Sequence, residues 1–134
     1  METRNALHNQ TGGFDGMGYL VKGTASGVVK VTAKTDEAIG VTAAESSRGE
    51  DQELEAAGTG TVAVKPLSGI VYIKFGETVS TVDFGDKIYV DDTVDGHCTH
   101  NLDTSGKHLG YYYGESNISL SSGDLIPVMI GRFA

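Results

Sequence analysis

Residues 84–100, "FGDKIYVDDTVDGHCTH", decide how this chain is read. Four aspartates and two histidines surround the short apolar run Ile88-Tyr89-Val90, and the only cysteine, Cys98, lies between the histidines. The stretch is either a metal or acid–base site or a β-strand between two polar turns. Asp91, Thr93, Asp95 and Gly96 occupy positions 1, 3, 5 and 6 of a calcium loop. That loop needs a bidentate Glu at position 12, where this chain has Leu102, and helical flanks, where this chain has strand-like runs. A hairpin explains the same residues, because Asp and Gly supply the backbone that tight turns require. His97, His100 and His108 with Cys98 raise the question of zinc. Alternate strand residues share a face, so Cys98 and His100 are expected on one side and His97 on the other. Neither CxxC nor HxxxH spacing is present. The turn reading is adopted: no cofactor is expected, and Asp91, Asp95, His97 and His100 are the positions to check for a metal. Gly85-Asp86 should form a turn, Ile88 and Val90 face the core, Tyr89 face the other way, and Asp91 open the next turn.

The rest of the chain follows the same pattern. "YLVKG" (19–23), "GVVKVTA" (27–33), "EAIGV" (37–41), "GTVAVKP" (60–66), "SGIVYIKFG" (68–76), "HLGYYYG" (108–114), "SNISLS" (116–121) and "LIPVMIGRF" (125–133) are short β-like runs between turn residues. Turn signals every 8–12 residues predict an all-β sandwich or barrel. Val29 and Val31 should share a face, as should Val62 and Val64. "SGIVYIKFG", apolar on both faces, reads as a central strand, and Pro127 makes the last run read as an edge strand or a strand start. The polar stretch 43–58 has a Ser47…Glu50 capping-box spacing but one apolar anchor, Leu54, and is taken as loop with a short strand near Leu54. "AIGVTAAESSRGED" (38–51) and "HLGYYYGESNISLSSGD" (108–124) share apolar-Gly-apolar, Glu-Ser and Gly-acid words. They are either a pseudo-repeat or a coincidence among turn residues.

The chain of 134 residues suits one domain, with residues 1–18 as a flexible N-terminal arm and 19–134 as the β domain. Nineteen glycines against two prolines favour short strands and many turns. A net charge of −8 with no basic cluster argues against nucleic-acid binding. No apolar run approaches the ~20 residues that span a bilayer, and "METRNALHNQTGG" lacks the apolar core of a signal peptide. A single cysteine cannot form an internal disulfide, which fits synthesis in a reducing cytoplasm. No GxSxG, HExxH, GxGxxG or complete phosphate-loop motif occurs, so no enzymatic activity is expected.

Contact surfaces are expected instead. Leu7, Phe14 and Met17 could anchor the arm to a neighbour. In "GYYYG", Tyr111 and Tyr113 share a face, and tyrosine is enriched at interfaces. The closing run, with Met129 and Phe133, is apolar on both faces and needs a cover.

The order "AIGV", "GTVAVKPLSGIVYIK", "FGDKIYVDD", "HLGYYYGES", "SGDLIPVMI" resembles the capsid cement (decoration, head-stabilising) proteins of tailed bacteriophages. The words carrying the resemblance are Ile39-Gly40-Val41, Gly69 to Ile73, Gly85 to Asp91, Leu109-Gly110-Tyr111 and Gly123 to Ile130. They span about residues 19–133. The arm is not covered, and the acidic loop 45–58 is longer than the family pattern. The resemblance implies a small β-barrel or β-sandwich of the β-tulip kind, without enzymatic activity. It implies a protein made in the bacterial cytoplasm that sits on the outer capsid surface, its partners the major capsid protein and itself, as a homotrimer first and a dimer second. The alternative from the residues is a metal- or carbohydrate-binding β-domain, such as a virion surface adhesion module.

Overall fold

The computed structural model describes residues 4–11, 13–43, 61–91, 93–100 and 107–130, and every regular element among them is a β-strand. The first sheet contains β1 (Arg4–Leu7), β2 (Leu20–Thr24), β3 (Gly27–Lys30), β4 (Gly40–Thr42) and β5 (Thr61–Pro66), in the order β1-β5-β4-β2-β3. The second contains β6 (Gly69–Lys74), β8 (Lys87–Val90), β9 (Cys98–Thr99), β10 (His108–Tyr112) and β12 (Leu125–Ile130), in the order β6-β12-β10-β8-β9. A two-stranded ribbon pairs β7 (Val79–Val82) with β11 (Ile118–Leu120). All pairings between strands are antiparallel. The fold of the described residues is therefore all-β and sandwich-like, with no closed barrel among them.

The two sheets repeat one another. Their strand orders become identical when β1, β2, β3, β4 and β5 are matched to β6, β8, β9, β10 and β12. The register matches too. Val21 opposes Gly40 as Ile88 opposes Gly110, and Val41 opposes Lys65 as Tyr111 opposes Met129. Each sheet curls until the residue after its first strand makes one parallel bridge to its outermost strand: His8 with Val28, Phe75 with Cys98. Single hydrogen bonds correspond. The Gly18 N–H donates to the Thr42 carbonyl at 2.9 Å, and the Gly85 N–H to that of Tyr112 at 2.8 Å. The Ala43 N–H donates to the Ala63 carbonyl at 3.0 Å, and the Tyr113 N–H to that of Pro127 at 2.9 Å. Gly18 and Gly85 take the same left-handed φ, 98° and 90°, which favours glycine at both turns. The apolar-Gly-apolar word of the echo between residues 38–51 and 108–124 thus falls on matched strands, β4 and β10, while the remaining words of its first half, in 44–51, lie outside the described residues.

Inside the first curl, Phe14, Tyr19, Val21, Val28 and Val62 form one buried cluster. The interior of the second, including Ile73, Ile88, Val90, Cys98, Tyr112, Ile126 and Val128, belongs to a larger cluster. That cluster also takes Leu20 and Val41 from the opposite face of the first sheet, and Val31 from just beyond the end of β3. One core therefore joins the two repeats.

Several expectations need correction. Residues 1–18 are not a separate arm over their described part: β1 pairs with β5 through four residues, and Phe14 is buried in the core. β6 is an outer strand of its sheet, with Val71 and Ile73 inward and Ile70 and Tyr72 exposed. β12 is an inner strand despite Pro127. Pro127 is tolerated because it sits where β10 ends, its carbonyl still accepting from Tyr113. Val28 faces the first core, while Val31 reaches the larger one. The polar stretch 44–58 and Phe133 lie outside the described residues.

Candidate interaction surface

The strand alternation that buries one face of the second sheet exposes the other. The register sets Ile70, Met129, Tyr111 and Lys87 side by side across β6, β12, β10 and β8. The next row holds Tyr72 against Pro127, with Tyr113 hydrogen-bonded to the Pro127 carbonyl. Ile70 is 44% exposed, Tyr72 50%, Tyr111 40% and Tyr113 42%. Phe84, at 57%, packs its ring 5.2 Å from that of Tyr113. His108 sits between the Tyr111 and Tyr89 rings, at 5.0 and 5.4 Å. Three of the residues read from sequence as contacts, Tyr111, Tyr113 and Met129, thus share one continuous face. Ile70, Tyr72 and Phe84 were missed, although the Ile70/Tyr72 alternation against Val71/Ile73 carried the signal. Clustered aromatics exposed on this scale mark a contact surface better than scattered apolar residues do. Of the N-terminal candidates, Leu7 is exposed, Met17 is half-buried, and Phe14 serves the interior instead.

The positions checked for a metal do not come together. Asp91 is buried, and its Oδ1 accepts from the Thr93 N–H at 3.0 Å, so it caps its own turn. Gly76 makes room for it: a Cβ there would lie 2.1 Å from Asp91 Oδ2. Asp95 is exposed. His97 is buried against the Tyr19 ring at 5.7 Å, with Nδ1 donating to the Asp95 carbonyl at 2.8 Å. Burial lowers its pKa, which the Asp95 carbonyl opposes and the Lys74 charge reinforces. His100 pairs with Glu77 at 3.1 Å, and Thr99 also donates to Glu77. Among the described residues, no three His, Cys, Asp or Glu side chains gather as a metal-holding group.

Cys98 and Tyr19 are likewise buried. Burial drives the Cys98 thiol far above its ordinary range, and Asp91 adds to this. Burial also raises the Tyr19 phenol, which donates to Asp15 and so stays protonated. Lys30 and Lys74 place Nζ 4.1 and 5.2 Å from the Tyr19 ring centroid. An open cleft of about 210 Å³ between the repeats is lined by Asp36, Ala38, Lys107, His108 and Ile130, among others. Its Asp36 is held by Lys22 at 2.8 Å, and Lys107 bonds Glu37 at 3.0 Å. The aromatic face is therefore the strongest candidate surface. Comparison with protein-family models finds no match, and comparison with the curated proteins finds no significant similarity.

Proposed function

We propose that this chain is a structural virion protein that binds the outer surface of an assembled phage head and stabilises it by bridging major capsid subunits. The observation that carries the reading is the exposed face of Ile70, Tyr72, Tyr111, Tyr113 and Phe84 on an acidic β-scaffold. A protein that works by docking needs a rigid frame, charge that keeps it soluble beforehand, and apolar area that becomes buried on assembly. The words that resemble cement proteins support it further, since they fall on β4, β6, β8, β10 and β12 and the turns before them. Binding only the assembled shell stabilises that shell by mass action, by roughly 4 kcal/mol at a thousandfold excess over Kd. An oligomer touching several capsomers adds avidity, so a homotrimer, or failing that a dimer, suits the task.

The test is co-sedimentation with undecorated heads of the phage that encodes the chain. Saturable pelleting, with heads that then resist heat or low salt, is the expected result. Protein that stays in the supernatant at every head concentration overturns the proposal.

A further inference from the structure

We propose that Glu77 and His100 form an acid-operated clasp that closes the second curl, and that the first curl carries the same clasp in a form that does not titrate. The clasp belongs to the free chain and takes nothing from the docking reading above.

At the bridges His8–Val28 and Phe75–Cys98 the two curls close through the same pair of hydrogen bonds. The Asn9 N–H donates to the Val28 carbonyl at 2.9 Å, and the Gly76 N–H to that of Cys98 at 2.8 Å. The next residue then turns its side chain back onto the outermost strand. Gln10 Oε1 accepts from the Lys30 N–H at 2.7 Å, and Glu77 Oε2 from the His100 N–H at 3.2 Å. Lys30 and His100 each lie two residues beyond the bridged residue, so the same backbone group is held in both curls. The chain makes this contact once with an amide and once with a carboxylate.

The carboxylate gathers more donors than the amide. Thr99 Oγ1 and, at 3.1 Å, His100 Nδ1 donate to the same Glu77 Oε2. An ionised carboxylate only accepts, which places the proton on His100 Nδ1. Its charge holds these donors together, since charge-assisted hydrogen bonds are about twice as strong as neutral ones. Protonated Glu77 resembles Gln10: it can keep one N–H but loses its hold on the imidazole. Burial raises the Glu77 carboxyl, but the bonds from Thr99 and His100 outweigh this and hold it below its ordinary 4.5. A depressed folded pKa leaves the clasp whole above 4.5 and opens it as pH falls through the folded value. The titratable neighbours have their own engagements. Asp91 and His97, which pack on Gly76, bond Thr93 and the Asp95 carbonyl. Asp124 accepts from the Ser121 N–H at 2.8 Å, Lys74 lies over the Tyr19 ring, and burial keeps the Cys98 thiol protonated. The His100 ring packs edge-on at 5.8 Å against Phe75, which is fully buried. Opening the clasp therefore loosens β9 from the core of the second repeat while the first curl stays closed.

The experiment is amide hydrogen exchange followed by NMR on the whole chain at pH 6 and pH 3, each rate expressed as protection relative to an unstructured chain. The His100 N–H should lose protection roughly tenfold or more between the two, as loss of a bond to a charged group predicts. The Lys30 N–H, held by Gln10, should keep its protection and serves as the control within the same molecule. E77Q, which gives the second curl the amide of the first, should show the acid level of His100 protection already at pH 6 and little change at pH 3. His100 protection that does not depend on pH in wild type overturns the proposal. Equal losses at His100 and Lys30 overturn it as well, because the chain would then be opening as a whole. So does an E77Q protein that keeps the wild-type drop at His100. The comparison of the two amides in wild type is decisive without the variant.

Discussion

At Gly40 and Gly110 the two repeats solve the same local problem. Each glycine lies on the strand that pairs with the last strand of its sheet, and the backbones approach too closely for a side chain. A Cβ on Gly110 would lie 2.1 Å from the Met129 carbonyl oxygen; on Gly40 it would meet Val64 Cγ1 at 2.5 Å and the Lys65 carbonyl oxygen at 2.9 Å. Gly110→Ala should therefore cost about 1–3 kcal/mol in urea unfolding, since backbone cannot give way as a flexible side chain can. Gly123→Ala, whose Cβ meets nothing within 4 Å, should cost less, its penalty coming from a φ of 98°. Asp36 supplies a pH prediction. Burial pushes its carboxyl up, but the Lys22 ammonium and the Thr32 and Ala33 N–H groups outweigh this and hold it at about 2. A depressed folded pKa means that the stabilisation is whole above the unfolded value of 3.8 and is lost as pH falls toward 2. Melting temperature should drop across that window, less steeply in Asp36→Asn, which should lose at most about 1 kcal/mol at pH 7 because the pair is part-exposed. Of the opening stretch, Ile88 and Val90 inward and the Gly85-Asp86 turn were readable from alternation and turn chemistry. The burial of Asp91 was not, because it depends on the missing side chain of Gly76, fifteen positions earlier.

Pairing partners explain where the element-level reading succeeded and where it failed. Alternation identifies a strand from its own residues, and it found Val62 with Val64 and Ile88 with Val90. It cannot say how many neighbours a strand has, since that is decided by residues far away in sequence. Hence β6 was expected inside its sheet and lies outside, while β12 was expected at an edge or with Pro127 at its start, and lies inside with Pro127 at its third residue. β1 was missed for a related reason. "RNAL" has too few apolar residues to announce a strand, and it becomes one by pairing with β5 some sixty residues later. Deleting residues 1–11 should therefore destabilise the free protein by several kcal/mol, because Val28 and Val62 lose their cover and β5 loses a neighbour. Differential scanning calorimetry of the truncated chain checks this; an unchanged melting temperature would return the segment to the status of an arm. Ile88→Asp, at a fully buried site on an inner strand, should unfold the domain, an unpaired buried charge costing about 3–5 kcal/mol. Val64→Asp, at a half-buried site, should be milder, and circular dichroism in increasing urea will rank the two.

Across the whole molecule, the repeat is what the sequence nearly concealed. The matched interiors share no residue types at most positions: Ala6, Val21 and Val62 stand where Ile73, Ile88 and Ile126 stand. Besides Val64/Val128, the identities that persist are backbone-determined glycines such as Gly18/Gly85 and Gly40/Gly110. Packing constrains apolar volume per site loosely, whereas a left-handed turn or a close strand approach admits little besides glycine. What makes the halves one folding unit is the set Leu20, Val31 and Val41, which leaves the first sheet to enter the common core. Unfolding should accordingly be a single transition, with calorimetric and van't Hoff enthalpies equal. Leu20→Lys tests the coupling directly, because it installs at a fully buried site the residue that the second repeat exposes at its matched position, Lys87. A lysine there loses the Leu20 packing and brings a charge into the seam between the repeats, at a cost of about 3–5 kcal/mol. The expected thermogram is a lower transition that broadens or splits as the first repeat melts ahead of the second. A Leu20→Lys protein that melts in one sharp step at the wild-type temperature would show that the seam does not hold the repeats together.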